Sequence, residues 1–247
     1  MSDAKPPVKR GGLPAKRGAI FDQIAKAKPK KIIPASPSRE ELIAAATKPR
    51  TPRLVFAIDA TASRRPAWEE AQRITDALFE ALPGELEIAL AVHSGGTVQM
   101  FSSFSTDVAH FRDKARGVTC RGGHTKLVSL MRQTLDHQGV KAFLYIGDCF
   151  EENSAEAYDL ADAMALRGVK AFMFHDDATG GTAHRDIFAE IARRTGGALI
   201  DFRSWSQQEL REIFAAVAVL AVGGVRLLEQ RRKQLPGADK LLRLLPK

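Results

Sequence analysis

The sequence predicts a doubly wound α/β fold, with a mostly parallel six-stranded sheet, helices on both faces and one antiparallel edge strand. From residue 54 onward, short apolar runs alternate with longer segments of helical periodicity, the order typical of β-α units. The strand-like runs are apolar throughout, as in strands that are covered on both faces. The link His-Ser-Gly-Gly between two of them is long enough only for a hairpin, so one of the two is antiparallel and is expected at the edge.

The predicted elements follow one another in the order β-α-β-β-α-α-β-α-β-α-β-α. β-Branched and aromatic residues indicate strands at residues 54–58, 86–92, 97–102, 142–147, 169–175 and 198–202. Periodic apolar positions indicate helices at residues 66–82, 106–116, 125–138, 154–167, 183–195 and 206–222. The apolar stretch from Ile213 to Val225 is shorter than the roughly 18 residues that a membrane span needs, so we expect a buried helix there.

Helix start and stop signals agree with these bounds. Pro66 suits a first helical turn, and Thr106 and Ser154 suit N-cap positions. Glycines suited to ending a helix follow three of the segments, at Gly139, Gly168 and Gly196.

Charge and proline content divide the chain into three parts. The net charge is +8, but residues 1–53 hold 13 Lys+Arg against 4 Asp+Glu, and residues 226–247 hold 7 against 2, so the segment between them is acidic. Prolines interleaved with the bases predict a basic, largely disordered N-terminal arm at residues 1–52, with short helices possible at 18–28 and 38–48. We expect the α/β domain at residues 53–222 and a cationic C-terminal extension at 223–247.

Several protein classes lack their required signatures here. Two cysteines and an N-terminus without an apolar signal segment favour a cytoplasmic protein over a disulfide-stabilised secreted one. No G-x-G-x-x-G follows the first strand, Gly123 stands where a P-loop needs Lys, and G-x-S-x-G is absent. A phosphatase of the D-x-D type would need Asp where Thr61 stands. These absences favour binding over catalysis.

Oxygen-bearing side chains are predicted to meet at one edge of the sheet. Asp59 ends the first strand and Asp148 ends the strand AFLYIG, so their carboxylates converge if the two strands are neighbours. Asp59, Thr61 and Ser63 alternate in DATAS, which lets an extended turn aim them at one point. The loop TCRGGHT, residues 119–125, adds Thr125. Carboxylate and hydroxyl oxygens favour Mg²⁺ or Mn²⁺ over zinc.

These residues resemble the metal-ion-dependent adhesion site of the von Willebrand factor A (VWA) domain, in which D-x-S-x-S is followed by a Thr and then an Asp. The similarity covers roughly residues 53–222 and implies the Rossmann-like VWA fold. It also implies that hydroxyls coordinate the ion directly, that the carboxylates act largely through water or hydrogen bonds, and that a partner protein supplies a further carboxylate. The implied metal-site residues are Asp59, Thr61, Ser63, Thr125 and Asp148.

The sequence departs from the family pattern at three places. Thr61 replaces the commoner Ser, which keeps the hydroxyl and adds a methyl group. Cys149 follows Asp148 where the family usually has Gly, and the acidic pair Glu151 and Glu152 comes soon after. His124 directly precedes Thr125. These departures bear on metal affinity and coordination more than on the fold.

Three alternatives stay open at this point. Asp59 and its two hydroxyl neighbours could simply cap the first turn and the following helix. A zinc site could draw on scattered residues near strand ends, although no ligand spacing organises them: Cys120, His124, Cys149, His175, Asp176 and Asp177. The basic termini could bind nucleic acid through phosphate neutralisation, although Phe21 is the only aromatic residue among the first 53.

The interpretation that accounts for most of these features is a cytoplasmic, bacterial-type, non-enzymatic VWA protein. We expect it to act in an intracellular complex, where Mg²⁺ or Mn²⁺ bridges to an acidic residue of a partner protein. A nucleic-acid-associated protein that binds through its basic termini is the alternative.

Overall fold

The structure, a computed structural model, describes Ser38 and residues 51–61, 65–82, 84–176 and 182–246. Apart from Ser38 and residues 51–52, the predicted N-terminal arm and its two short helices lie outside these ranges. So do Ser63 and Asp177, whose predicted roles stay predictions.

A six-stranded sheet with strand order β3-β2-β1-β4-β5-β6 runs through the middle of the domain. Five strands are parallel, and β3 pairs antiparallel with β2 at the edge, so the predicted fold class and antiparallel edge strand are confirmed. The strands are β1 Arg53–Asp59, β2 Glu87–Ser94, β3 Thr97–Phe101, β4 Val140–Gly147, β5 Lys170–His175 and β6 Ala198–Asp201.

Helices connect the strands and cover both faces of the sheet. Within the described residues they are α1 Arg65–Ile74, α2 Asp76–Glu80, α3 Val108–Arg116, α4 Leu127–Asp136, α5 Ser154–Leu166, α6 Thr182–Thr195, α7 Gln207–Gln230 and α8 Pro236–Leu244. One face of the sheet packs against α1, α2, α3, α7 and α8, and we call it the α7 face. The opposite face packs against α4, α5 and α6, and we call it the α4 face.

The helices differ from the sequence prediction at one break and two N-caps and agree with it at the glycine stops. The predicted helix at 66–82 is divided at Thr75, whose hydroxyl donates to the Gln72 carbonyl at 3.0 Å. The N-caps are Asp107 and Asn153 rather than Thr106 and Ser154, since their carboxylate and amide oxygens accept hydrogen bonds from the first helical N–H groups. The three predicted glycine stops all have positive φ, as a helix-ending glycine should.

The C-terminal segment is helical and packs on the domain. Helix α7 begins with a capping box formed by Ser206 and Glu209, continues through residue 222, and contains a non-helical residue at Gly224. Its stretch from Ile213 to Ala221 is almost wholly buried, as expected, but Val225, which ends the stretch that was predicted to be buried, is 39% exposed. Helix α8 then packs against α7 through Ala238 and other apolar side chains. None of the described helices combines the length and the hydropathy that crossing a bilayer requires.

Candidate metal centre

The candidate site lies where the strand order reverses, between β1 and β4. Loops that leave neighbouring parallel strands in opposite directions open a crevice at this point of a doubly wound sheet. Ile58 pairs in register with Ile146, so Asp59 lies beside Gly147, and Asp148 directly follows the end of β4. Both aspartates are almost fully buried, with 1% and 4% of their surface exposed. The prediction that β1 and β4 are neighbouring strands is therefore confirmed.

The turn after β1 holds the Asp59 carboxylate in place. Its Oδ1 atom accepts a hydrogen bond from the Thr61 backbone N–H at 2.9 Å. The chain is also tied to β2, because the Ala60 N–H donates to the His93 carbonyl at 2.9 Å. Thr61 is half-buried beside this turn, and its predicted companion Ser63 lies outside the described residues.

Ser94, at the end of β2, fastens the loop that carries Thr125. The Ser94 hydroxyl donates to the Ala60 carbonyl at 2.7 Å and lies 2.8 Å from the Arg121 N–H, which donates to it. The Arg121 N–H also lies 3.1 Å from the Ala60 carbonyl. The loop is thereby fixed to the turn after β1 rather than projecting into solvent.

The two glycines of TCRGGHT have different roles. A Cβ atom on Gly123 would lie 2.4 Å from backbone atoms of Gly95 and Gly96 in the β2–β3 hairpin, so this position accepts no side chain without a shift. A Cβ atom on Gly122 would meet nothing within 4 Å. The close approach at Gly123 presses the loop onto the hairpin and places Thr125, 1% exposed, at the site.

The loop after Asp148 is bonded to Thr125 in both directions. The Thr125 N–H donates to the Glu151 carboxylate at 3.1 Å, and the Thr125 hydroxyl accepts from the Glu151 N–H at 3.0 Å. These paired bonds bring the second and third segments of the site together. Of the predicted residues, the structure thus brings together Asp59, Thr61, Thr125 and Asp148.

Sequence reasoning missed that Glu152 caps helix α4 from a distant loop. Lys126, at the N-cap position of α4, provides no side-chain cap, and the Glu152 carboxylate instead accepts from the Val128 N–H at 3.3 Å. Burial raises the pKa of Glu152 above its ordinary value, while backbone N–H groups of α4 and the charge of Lys126 oppose that rise. The adjacent pair of glutamates after Asp148 was the available signal.

A buried histidine and tyrosine lie beneath the aspartate, and they too were missed. His93 and Tyr145 are both 0% exposed, and the His93 Nε2 atom is 2.9 Å from the Tyr145 hydroxyl. The His93 Nδ1 atom is 3.7 Å from Oδ1 of Asp59. Burial, reinforced by the charge of Lys126, lowers the pKa of His93 to about 3, so the ring is neutral at pH 7. A His and a Tyr inside otherwise apolar strands were the signal.

The zinc alternative gains no support from the part of the chain that the structure describes. Within it, no three His, Cys, Asp or Glu side chains are grouped so as to hold a metal ion. His175 bonds to the Asp148 carbonyl and Asp176 pairs with Arg203, so each has a structural partner. This absence does not bear on a site built largely from hydroxyl groups, because Thr and Ser are not among these four residue types. The donors that do meet here suit a hard cation.

Comparison with known proteins identifies the fold. The sequence matches no protein-family model and no curated protein. Among solved structures, it is similar to a von Willebrand factor type A protein from Catenulispora acidiphila, with a TM-score of 0.57 and 16% identity over 70% of this chain and 43% of that one.

Two further solved structures have comparable similarity. An aerotolerance-related membrane protein from Bacteroides fragilis has a TM-score of 0.52 and 15% identity, over 66% of this chain and 96% of that one. Proximal thread matrix protein 1 from the mussel byssus has a TM-score of 0.53 and 16% identity, over 69% and 45% of the two chains. Together with the strand order and the single antiparallel edge strand, these similarities show that the chain has the von Willebrand factor A fold.

Proposed function

We propose that this protein is a protein–protein interaction module in which a divalent cation, Mg²⁺ or Mn²⁺, bridges to a carboxylate of a partner protein in an intracellular complex. The proposed ligands are Asp59, Thr61, Ser63, Thr125 and Asp148. One observation carries the proposal most directly: Asp59, Thr125 and Asp148 come from three separate segments, yet all are buried at the switch point of the sheet.

The donors near this point fit a small hard cation. They are carboxylate and hydroxyl oxygens, which Mg²⁺ prefers over nitrogen and sulfur ligands. The Thr125 hydroxyl accepts one hydrogen bond, from the Glu151 N–H, and an oxygen of this type has a second lone pair. A cation bound by hydroxyls, with the carboxylates acting through water, keeps much of its positive charge and so attracts a further carboxylate.

The VWA fold supports an interaction module in general, and the metal supplies the specific chemistry of the proposal. When bound, the cation would provide a positive charge for an acidic partner residue. The chain's own contribution is to fix its oxygens before the partner arrives, through the Thr61, Ser94 and Glu151 hydrogen bonds. Such preorganisation lowers the entropy cost of binding.

Calorimetric titration of the purified protein with Mg²⁺ and Mn²⁺ tests the metal site. We expect the wild type to bind and Asp59→Ala to lose binding, whereas Asp201→Asn, a strand-end aspartate paired with Arg185, keeps it. Thr61→Ser should retain binding because it keeps the hydroxyl, and Thr61→Val should lose it. A wild type without any response to either metal, or an Asp59→Ala response equal to the wild type, contradicts the proposal.

A capture experiment tests the bridge. Immobilised wild type should retain a partner protein in Mg²⁺ and release it in EDTA, and Asp59→Ala should retain none. Retention that survives EDTA but is lost on nuclease treatment, or on removal of residues 1–50, would favour the nucleic-acid alternative through the basic arm.

A further inference from the structure

A polar row crosses the central strands directly beneath the proposed metal site. Asp59 of β1 is in register with His93 of β2 on one side and lies beside Gly147 of β4 on the other. The three residues share the α4 face of the sheet, because they continue the alternation of Ala57, Ala91 and Tyr145 along their strands. The Asp59 carboxylate therefore has an imidazole as its nearest neighbour on β2.

Gly147 gives the Tyr145 side chain room to reach that imidazole. A Cβ atom on Gly147 would lie 2.6 Å from the Tyr145 hydroxyl oxygen and from its ring, so any side chain there would displace the phenol. Because residue 147 has none, the phenol crosses over it and its oxygen meets His93 Nε2 at 2.9 Å. The two rings are nearly parallel, with an interplanar angle of 17°.

The neighbours of the imidazole determine which nitrogen carries its proton. A neutral imidazole has one N–H, and the His93 Nδ1 atom faces Oδ1 of Asp59 at 3.7 Å. If Nε2 carried the hydrogen, the Nδ1 lone pair would point at a carboxylate oxygen, which is repulsive between two buried groups. If the Tyr145 hydroxyl donates to Nε2, Nδ1 carries the hydrogen and presents the positive end of its dipole to the carboxylate.

We infer that His93 and Tyr145 are positioning residues for Asp59: the Tyr145 hydroxyl donates to Nε2, which fixes the Nδ1–H tautomer, and that N–H attracts Oδ1 of the carboxylate across 3.7 Å, farther than a hydrogen bond reaches. The same oxygen accepts a hydrogen bond from the Thr61 N–H at 2.9 Å, so that bond and the dipole of the imidazole N–H act together on its orientation. The consequence for cation affinity rests on the proposed metal-binding function, whereas the tautomer does not.

The tautomer can be measured on the metal-free protein. Nitrogen-15 NMR of the imidazole side chains distinguishes Nδ1–H from Nε2–H by the chemical shifts and couplings of the two nitrogens. We expect His93 to be in the Nδ1–H form in the wild type, and Tyr145→Phe to convert it to a mixture or to the other tautomer. An Nε2–H ring in the wild type, or a tautomer unaffected by Tyr145→Phe, overturns the inference.

Two amide substitutions test the roles of the two ring nitrogens of His93 separately. An Asn side chain places its amide nitrogen near the position of Nδ1, whereas a Gln side chain reaches the position of Nε2. We expect His93→Gln to weaken Mn²⁺ binding by about tenfold, the effect usual for a group that supports a metal ligand, and His93→Asn to weaken it less. Equal losses, or a larger loss for His93→Asn, overturn the assignment of Nδ1–H as the group that faces the carboxylate.

Thermal unfolding of each variant checks that it folds. If either amide variant does not, Tyr145→Phe decides, because it keeps the ring and removes only the hydroxyl: a weaker Mn²⁺ affinity supports the inference and an unchanged one overturns it. A wild type that binds no Mn²⁺ disproves the proposed function instead. The tautomer measurement still decides whether Nδ1 presents a hydrogen to Asp59.

Discussion

The two faces of the sheet are built differently. On the α7 face, the strands end in apolar side chains, which are Val92, Ile58, Ile146, Phe174 and Ile200, and the helices complete an apolar core. On the α4 face, three of these strands end in polar residues, His93, Asp59 and His175, and each of these has an exposed fraction of 2% or less. The α7 face stays apolar to the carboxyl ends of these strands, whereas the α4 face changes from apolar to polar at the edge that carries the candidate site.

This difference indicates that the α7 face mainly stabilises the fold, whereas the α4 face also positions residues of the candidate site. Burying apolar surface stabilises the fold by roughly 25 cal/mol per Å², whereas a buried polar group costs stability unless it has a partner. Two atoms of the polar residues on the α4 face have such a partner: His93 Nε2 bonds to the Tyr145 hydroxyl, and Asp59 Oδ1 accepts from the Thr61 N–H. On the α4 face, the side-chain positions are restricted by the contacts that hold the Asp59 carboxylate in place. Apolar packing on the α7 face imposes no such restriction.

Removing one buried phenylalanine from each face is the strongest test of this comparison. Phe214 packs edge-on against Phe56 and Phe174, with ring centroids 5.9 and 5.0 Å away, and Phe188 packs against Tyr145 at 5.6 Å. We expect Phe214→Ala and Phe188→Ala each to lower the free energy of unfolding by about 3–5 kcal/mol, measured by denaturant titration. Only Phe188→Ala should also weaken Mn²⁺ binding, because it loosens the tyrosine that supports His93.

The control for apolar truncation is Leu166→Ala, since Leu166 is 90% exposed and its loss should change stability by less than about 0.5 kcal/mol. Phe214→Leu and Phe188→Leu provide a milder pair in case the alanine variants unfold. If truncating Phe214 and truncating Phe188 weaken Mn²⁺ binding equally, the proposed difference between the two faces is wrong.

The sequence predicted the sheet well because its signals are local. Apolar runs fixed the six strands, and a four-residue link forced the hairpin that β2 and β3 form. The meeting of Asp59 and Asp148 followed from one rule, that parallel neighbours end at the same edge. The break at Thr75 was missed, since nothing in the helical periodicity of residues 66–82 marks a side-chain bond to the preceding turn.

The support around the site was not predictable from local patterns. Glu152 caps α4 from a loop 24 residues away, and Tyr145 reaches His93 across an intervening strand. Both depend on which strands become neighbours, which the order of residues alone does not specify. Ser63 shows the opposite case: the motif predicts it as a ligand, and it lies outside the described residues, so its role stays a prediction.

A smaller effect is expected from the paired glycines of TCRGGHT, which test whether close packing places Thr125. Gly123→Ala puts a Cβ atom 2.4 Å from the hairpin backbone, so the loop must move. We expect a loss of about 1–3 kcal/mol in unfolding free energy and weaker Mn²⁺ binding. Gly122→Ala, with open space around it, should leave both quantities near those of the wild type. If the two glycine variants have similar unfolding free energies and Mn²⁺ affinities, the close approach of Gly123 to the hairpin does not hold the loop in place.

The smallest effect concerns the α7 face, where polar contacts lie at the surface and link α8 to α7. The Glu209 carboxylate accepts from the Ser206 N–H at 3.0 Å, the Ser206 hydroxyl at 2.8 Å and the Lys240 ammonium at 3.1 Å. The bonds from Ser206, then the one from Lys240, lower the pKa of Glu209 to about 2, from an ordinary value of 4.5. A lowered pKa means that the stabilisation is present above the ordinary value and is lost as pH falls towards 2.

Glu209→Gln should therefore be less stable than the wild type at pH 7 and indistinguishable from it near pH 2, as measured by urea unfolding across that range. Glu229→Gln, an exposed charge-matched control on the same helix, should show no such convergence. A gap between wild type and Glu209→Gln that stays constant from pH 7 to pH 2 would show that the carboxylate's charge does not contribute. If the gap closes as expected while Mn²⁺ binding at pH 7 is unchanged, the ionic contacts of the α7 face contribute to stability without reaching the site on the other side of the sheet.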